Sequence, residues 1–230
     1  MTKIDILDHG YVKYVDHLGS DLSFTKAARA SFAKDSEVWN EKEAKLLNFL
    51  VRNEHFSVFR HAAVTLQLKV PLMIARQHWK YAVASSHIDD QTGWNESSRR
   101  YVTMEPEFYI PAANEWRTSP ENKKQGSGQP LPADAGAYWT YYAQEYFADG
   151  LEHYNNAMRS GICAEQARLF LPAYAMYVSY QWTASIASVM HFLRERLEHD
   201  AQYEIQLVAQ AVRDIIEPLF PATSEAFGVA

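Results

Sequence analysis

The sequence predicts an α+β fold: a single domain with a small, mostly antiparallel sheet flanked by helices, and a helical C-terminal half. The order of local patterns predicts this class, because strand and helix patterns are mixed in the first half of the chain and helices alone follow. An α/β fold would instead alternate strands and helices regularly. The 230 residues, of which 47% are hydrophobic and 13% aromatic, suffice for one full core. We therefore expect residues 1–230 to form one domain.

The first half of the chain holds the predicted strands. The stretch KIDILDHGYVKYVD alternates enough to predict one or two short strands. WNEKEAKLLNFLVRN predicts a helix, because Asn40 can cap it and an apolar stripe follows. The clearest strand is AVTLQLKV, in which apolar and polar residues alternate from Val64 to Val70. Pro71 ends this strand and can open a helix over PLMIARQHWKYAVAS, and EFYIP at 107–111 predicts a return strand.

The second half begins with a long polar segment and then becomes helical. Residues 115–136 are rich in proline, glycine and charge, which predicts a surface loop inserted within the domain. Helical spacing of apolar residues then predicts four helices, over 138–158, 164–171, 185–196 and 201–217. Pro172 would stop the second of them.

Composition excludes several classes of function. A formal net charge of −6 disfavours a non-specific nucleic-acid binder, which needs a basic surface. No run approaches the ~20 apolar residues of a membrane span, so no membrane association is expected. Cys163 is the only cysteine, so no internal disulfide can form, and a reducing, cytoplasmic setting is expected.

Two common kinds of ligand site are also not indicated. His55 and His61 are six residues apart and have no cysteine beside them, so the spacing of a helical zinc site is missing and no metal is expected. Neither G-x-G-x-x-G nor a Walker A sequence occurs, so a nucleotide-binding Rossmann domain is not indicated.

Arginines recur at the ends of apolar stretches, close to other hydrogen-bonding residues. The run GWNESSRRYV sets an acid, an amide, two hydroxyls and two guanidiniums side by side. Guanidinium groups bind phosphate bidentately and are always charged, so such residues can converge on an anion. Spacing alone leaves two interpretations open, a pocket for a phosphorylated ligand or a set of structural ion pairs. The residues concerned are Arg76, Gln77, Lys80, Glu96, Ser97, Ser98, Arg99, Arg100, Arg168 and Arg196.

Read in order, blocks of the chain resemble the flavin-dependent thymidylate synthases over nearly its whole length. The blocks are DLSFTKAARASF, NEHFSVFRHAAVTLQLKVPLMIARQ, NESSRRY, EFYIP, ARLFLP, QWTAS, FLRER and AQYEI. The resemblance implies a homotetramer whose active sites are shared between chains. It also implies a reaction that converts dUMP to dTMP, with FAD as bound cofactor, NADPH as reductant and methylenetetrahydrofolate as the folate that donates one carbon.

The resemblance also assigns residues to the two ligands by position. Arg196 is the expected catalytic residue, because a guanidinium beside N3 and O4 of uracil would stabilise the ring anion and make C5 more nucleophilic. The residues expected to surround dUMP are Gln77, Lys80, Glu96, Ser97, Ser98, Arg99, Arg100, Arg168 and Arg196. The residues expected to contact FAD are Ser31, Ser57, Arg60, Lys80, Tyr81, Asn95, Glu96, Ser185 and His191.

Departures from the family pattern concentrate on the flavin. Lys80, Tyr81 and Ala82 replace an Arg-His-Arg triplet, and an insertion follows near Ser86–Gly93. Arg60 stands where the family has an acid and could restore one charge, and His87 in the insertion could supply the lost imidazole. These changes keep an alternative open, a dUMP-binding relative that transfers the one-carbon unit with lost or altered flavin chemistry and without the final reduction.

Overall fold

A five-stranded sheet organises the chain. The computed structural model describes residues 2–31, 36–83, 93–96, 105–121 and 126–230. Its strands are β1 (Lys3–Ile6), β2 (Gly10–Leu18), β3 (Ala63–Pro71), β4 (Gly93–Glu96) and β5 (Tyr177–Ser185). Its helices are α1 (Asp21–Ala30), α2 (Glu41–Arg52), α3 (Leu72–Val83), α4 (Ala133–Arg159), α5 (Ala164–Ala167), α6 (Ile186–Arg196), α7 (Tyr203–Ile216) and α8 (Pro221–Phe227). Two short 3₁₀ helices, Phe56–Arg60 and Arg168–Phe170, complete the set.

The strands follow the order β1-β2-β3-β5-β4, and each neighbouring pair is antiparallel. The central pair is the longest, with β3 and β5 in continuous register from Ala63 opposite Ser185 to Pro71 opposite Tyr177. This arrangement confirms the predicted α+β class with a small antiparallel sheet and a helical C-terminal half.

One face of the sheet forms the core. On β3 the apolar residues from Val64 to Val70 are fully buried, and the polar residues between them are half-buried on the other face. On β5, Tyr180, Trp182 and Ala184 lie on the same buried face, and α3, α6 and α7 pack against the sheet. The buried apolar residues form one continuous cluster, so the described residues make a single domain.

Local signals read from the sequence set several elements as expected. The Asn40 side chain caps α2 by accepting hydrogen bonds from the backbone nitrogens of Lys42 (2.9 Å) and Glu43 (3.4 Å). The predicted strands at 3–16, β3, α2, α6 and α7 are confirmed within a few residues of their expected ends. The predicted helix at 164–171 is confirmed in part, because α5 tightens into a 3₁₀ turn from Arg168 before Pro172.

The prediction of a return strand at 107–111 is wrong. Phe108 forms only an isolated bridge with Met176, and the backbones of Tyr109 and Ala175 share one hydrogen bond of 2.8 Å. The strand that pairs with β3 is instead β5, which was not predicted. The sequence signal for a strand was present in β5, because YVSYQWTAS alternates buried and less buried residues with the period of two that marks a strand.

The predicted loop at 115–136 is shorter and more ordered than its composition suggests. Helix α4 already begins at Ala133, and Arg117 pairs with Pro130 in an isolated bridge. Backbone hydrogen bonds from Thr118 to Gln129 (2.9 Å) and from Leu131 to Trp116 (2.7 Å) join the two ends of the segment. We call residues 115–131 the hairpin segment, of which 122–125 lie outside the described residues. Within the described ranges no helix is long and apolar enough to cross a membrane.

Candidate functional site

Helix α3 carries the first group of predicted nucleotide residues. Gln77 is half-buried and Lys80 is exposed. The start of the helix is tied to the segment after Arg168, because the backbone nitrogen of Leu72 donates to the Met176 carbonyl (2.9 Å) and that of Met73 to the Tyr174 carbonyl (3.0 Å). The fold therefore brings residues 174–176, which follow the Arg168 turn in the chain, to the start of α3.

Strand β4 contains the first residues of the GWNESSRRYV run. Gly93–Glu96 is an edge strand that pairs with β5, so the first half of the run is sheet. The register sets Glu96 opposite Tyr180, whose hydroxyl lies 2.8 Å from Nδ1 of His78, the residue after Gln77. The predicted residues Ser97, Ser98, Arg99 and Arg100 lie outside the described residues.

The two arginines of the helical half lie at the ends of short helices. Arg168 is exposed, and its Nε donates to the carbonyl of Glu165 at 3.2 Å, which leaves the terminal nitrogens of the guanidinium for a ligand or solvent. Arg196 is the half-buried last residue of α6, and α6 packs on α3. A cation is favoured at this position by the helix dipole. Gln77, Glu96 and Arg196 thus lie on elements that pair with or pack against α3 and β5, and Arg168 lies on the 3₁₀ helix that packs on α4. The ligand contacts of all four residues stay a prediction.

A chain of polar side chains continues from Gln77 and was not foreseen. Gln77 Nε2 donates to Oε1 of Gln202, and Gln202 Nε2 donates to Oε2 of Glu204 at 2.8 Å. Glu204 Oε1 accepts from Nη2 of Arg117, in the hairpin segment. We call Gln77, Gln202, Glu204 and Arg117 the polar chain. The AQYEI block contained two of its members, but only the fold shows that they meet α3.

Next to Gln77 on α3, His78 faces the core. Its ring lies 4.3 Å from that of Trp182 and 4.6 Å from that of Phe192. Burial lowers the pKa of the His78 imidazole to about 3, so the ring is neutral at physiological pH. With its hydroxyl partner Tyr180, this residue serves packing.

A separate cleft of about 800 Å³ gathers two of the predicted flavin residues. Ser31 ends α1 and Ser57 lies in the first 3₁₀ helix, and both line the cleft beside the aromatic side chains of Phe49 and Phe56. His55 also lines it and was considered in the sequence only as a metal ligand. The position of His55, two residues before the predicted flavin residue Ser57, was the sequence signal that could have placed it in this cleft.

The remaining predicted flavin residues lie elsewhere. Ser185 is 1% exposed, and its Oγ accepts from the backbone nitrogen of Ser188 (3.4 Å) as the cap of α6, so its hydroxyl already has a structural role. Asn95 is exposed on β4, and His191 and Arg60 are half-buried. Lys80 and Tyr81 are in the last turn of α3, and of Tyr81 and Glu96 only the backbone is described.

Charges near the cleft are partly neutralised. Arg29 lines the cleft, but its Nη2 lies 2.7 Å from Oε1 of the buried Glu43. Burial raises the pKa of the Glu43 carboxyl, and hydrogen bonds from Arg29, Thr25 and Ser36 outweigh this effect, so the net pKa is lowered and the carboxylate stays charged. Within the described ranges, no three His, Cys, Asp or Glu side chains are grouped as metal ligands would be.

The described residues thus combine polar side chains along α3 with a separate cleft of aromatic and hydroxyl side chains, features that suit the binding of small ligands. The family model described as thymidylate synthase complementing protein matches residues 13–222. The chain is 33% identical over 225 residues to the flavin-dependent thymidylate synthase of Thermotoga neapolitana, covering 98% of this chain and 94% of that one. It is 32% identical over 222 residues to the protein of the same name from Ehrlichia ruminantium, covering 96% and 71%. The chain therefore belongs to the flavin-dependent thymidylate synthase family.

Solved structures agree with this assignment. The structure of the UMP/dUMP methylase PolB from Streptomyces cacaoi bound with 5-Br dUMP matches with a TM-score of 0.83 and 28% identity, over 98% of this chain and 97% of that one. The same methylase bound with 5-Br UMP matches with a TM-score of 0.81 and 26% identity, over 99% and 97%. Family membership and this likeness make the chain a methyltransferase enzyme.

Proposed function

We propose that this enzyme converts dUMP to dTMP, with methylenetetrahydrofolate as one-carbon donor, FAD as bound cofactor and NADPH as reductant. Family membership over residues 13–222 is the observation that carries the proposal. It is supported by the position of Gln77, Glu96 and Arg196 on elements that pair with or pack against α3 and β5.

The proposed chemistry depends on activating the uracil ring without a covalent bond from the protein. Cys163, the only cysteine, is exposed at the start of α5. Arg196 supplies the alternative, since a guanidinium at N3 and O4 stabilises negative charge on the ring and increases electron density at C5. Arg168, which is exposed and uses its Nε to donate to the Glu165 carbonyl, is suited to bind the phosphate group.

The residues of the cleft at α1 and the first 3₁₀ helix fit part of an FAD molecule. Phe49, Phe56 and Val58 offer apolar walls for an aromatic ring system, and the hydroxyls of Ser31 and Ser57 with the His55 imidazole offer hydrogen bonds. Bound flavin would supply the hydride that completes the methyl group. Arg29 is paired with Glu43, and Arg60 at the end of the 3₁₀ helix is our candidate for additional positive charge beside the flavin diphosphate.

A homotetramer is part of the proposal and is supported by an exposed aromatic surface on α4. Tyr138, Trp139, Tyr141, Tyr142 and Tyr146 are 44 to 61% exposed. The opposite side of α4 buries small residues, and at Gly136 a Cβ would lie 1.8 Å from the Ala113 carbonyl oxygen. The helix therefore lies against its own domain on one side and presents a large apolar patch on the other, as oligomer interfaces do.

The test is turnover by the purified protein with and without added FAD. With dUMP, methylenetetrahydrofolate and NADPH, we expect a product heavier than dUMP by one methylene unit, formed only when flavin is present. Unmodified dUMP in the presence of bound flavin would contradict the proposal. Light scattering at the same concentration tests the tetramer, and a mass near that of one chain would contradict it.

UMP is a second candidate substrate, and a specific observation favours it. The solved methylase that matches this chain at a TM-score of 0.83 is described as acting on both UMP and dUMP. The chain also carries Lys80, Tyr81 and Ala82 in place of the Arg-His-Arg triplet expected beside the nucleotide and the flavin. Parallel assays with the two nucleotides decide between a thymidylate synthase and a uridine nucleotide methylase. A hydroxymethylated or unreduced product would instead support the altered-flavin alternative.

A cytoplasmic location completes the proposal. The proposed substrates are free anionic nucleotides and folates, and the single exposed cysteine requires no oxidising compartment. Fractionation of cells that express the protein tests this location, and recovery outside the cytoplasmic fraction would contradict it.

A further inference from the structure

The polar chain has a direction that its hydrogen-bonding groups impose. A carboxylate can only accept hydrogen bonds, so Glu204 requires Gln202 to turn its amide nitrogen toward it. Gln202 then turns its carbonyl oxygen toward α3, where it accepts from Nε2 of Gln77. The carboxylate of Glu204 thus sets the orientation of the Gln77 amide through Gln202. The carbonyl oxygen of Gln77 is the group left to accept a hydrogen bond from elsewhere.

That remaining oxygen is not satisfied within the described part of the chain. Gln77 Oε1 is buried and accepts no hydrogen bond from the described residues. Buried acceptors nearly always have a donor, since an unpaired one destabilises the fold. The amide therefore fits a donor group of a ligand, such as a sugar hydroxyl or a ring N–H.

The far end of the polar chain is anchored by the hairpin segment. Arg117 binds Glu204 through Nη2, donates from Nη1 to the Glu115 carbonyl (3.0 Å) and lies with its guanidinium carbon 4.5 Å from the centre of the Tyr203 ring. Glu204 is only 5% exposed, and it lies in the first turn of α7, where a negative charge is favoured. The charged pair is consequently well shielded and fixes one rotamer of the carboxylate.

We propose that Arg117, Glu204 and Gln202 are positioning residues that hold the Gln77 amide with its carbonyl oxygen toward the bound uridine nucleotide. This inference rests on the proposed function and gives the hairpin segment a role in it. Arg117 acts through Glu204, Glu204 through Gln202, and Gln202 through Gln77, so none of the three has to touch the nucleotide.

The test is the dissociation constant of dUMP measured by isothermal titration calorimetry on the full chain. Glu204→Gln lets the residue at 204 donate as well as accept, so the direction of the polar chain is lost, and we expect binding to weaken about 5- to 10-fold, as for one lost hydrogen bond. Gln202→Leu is expected to weaken it to the same extent. In a Gln77→Leu background, Glu204→Gln should have no further effect, because all three residues act through one amide.

Two further variants separate positioning from folding. Asp21→Asn is the matched control, because Asp21 is a buried carboxylate that accepts from the backbones of Ala222 (2.9 Å) and Thr223 (3.1 Å) far from α3. It should lower the melting temperature and leave the dUMP dissociation constant unchanged. Arg117→Lys keeps the cation beside Glu204 and should bind dUMP within about 3-fold of the wild type, whereas Arg117→Met should resemble Glu204→Gln.

The outcomes distinguish the two levels of the proposal. If the wild type binds dUMP and Gln77→Leu binds more weakly, but Glu204→Gln and Arg117→Met bind as the wild type does, the positioning role is wrong and the proposed function stands. If the wild type binds neither dUMP nor UMP, the proposed function fails and the positioning role fails with it. In turnover assays a positioning role raises KM for the nucleotide, whereas mere loss of folded protein lowers kcat at constant KM.

Discussion

Gln77 and His78 are consecutive residues of α3, yet they lie in opposite kinds of surroundings. His78 is enclosed by Trp182 and Phe192, and its Nδ1 lies 2.8 Å from the Tyr180 hydroxyl. Gln77 begins a polar chain that reaches the hairpin segment through Gln202. One face of the helix thus packs into the core, and the residue proposed to contact the nucleotide is its immediate neighbour in sequence. On a core helix, a face with a proposed ligand contact can therefore begin one residue away from a packed one.

The largest effect on stability should come from replacing His78. His78→Ala leaves a cavity between Trp182 and Phe192 and removes the partner of the Tyr180 hydroxyl, so we expect a loss of about 3 kcal/mol in the free energy of unfolding. Urea denaturation measures this loss. The dUMP dissociation constant of the folded protein should not change. A large loss of dUMP affinity in the folded fraction would break the division between the two residues.

Lowering the pH should also reduce the free energy of unfolding through His78, without any mutation. The folded-state pKa of His78, about 3, lies below the ordinary imidazole pKa of 6.5, so between these pH values the unfolded chain binds a proton that the folded chain does not. The stabilisation is therefore complete above pH 6.5 and declines as the pH falls, by about 1.4 kcal/mol per pH unit. Denaturation curves from pH 7 to pH 5 measure this dependence. His78→Phe should show a shallower pH dependence, and an identical one would contradict the assignment.

Replacing Gln77 should affect dUMP binding rather than the stability of the fold. Gln77→Leu keeps the size of the side chain but deletes its amide, so we expect dUMP to bind about 10-fold more weakly, or about 1.4 kcal/mol. The free energy of unfolding should change by less than about 1 kcal/mol, because the residue is only half-buried. Calorimetric titration and urea denaturation on the same sample check both values. A loss of stability as large as that of His78→Ala would contradict the proposed difference between Gln77 and His78.

The smallest effect is expected at Tyr180, which contacts His78 from β5. Tyr180→Phe deletes the hydroxyl 2.8 Å from Nδ1 and should lower the free energy of unfolding by about 1 kcal/mol. Because Glu96 is opposite Tyr180 in the sheet, this variant also tests whether the two regions are independent. Thermal denaturation and dUMP titration give the answer, and independence requires that dUMP affinity stay at the wild-type value.

The sequence predicted the parts of the fold that depend on local patterns. Asn40 caps α2 and the alternation in AVTLQLKV specifies β3, since both signals lie within a few residues of what they determine. Strand β5 was not predicted, although the alternation in YVSYQWTAS has the period of two that marks a strand. The extended segment at 107–111 has strand-like residues but meets only the start of β5, and this outcome depends on tertiary pairing.

The candidate site divides in the same way. The resemblance named Gln77, Arg168 and Arg196, and in the structure the helices of Gln77 and Arg196 pack together while the 3₁₀ turn of Arg168 packs on α4. It could not indicate that Gln77 contacts Gln202, which is 125 residues away, or that His78 contacts Tyr180, which is 102 residues away. Such partners follow from the crossing of α3 over β5 and the approach of α7, which no local pattern encodes. Ser185 shows the converse, because its position suggested a flavin contact and its environment makes it a helix cap.

The most direct measurement is the release of tritium from C5 of labelled dUMP by the purified protein. Methyl transfer to C5 must displace the hydrogen at that carbon, whichever residues hold the nucleotide. With FAD, NADPH and methylenetetrahydrofolate present, we expect tritium to appear in water in proportion to dTMP formed, and Arg196→Ala to abolish the release while sparing the fold. Retention of the label by flavin-loaded protein that binds dUMP would contradict the proposed function.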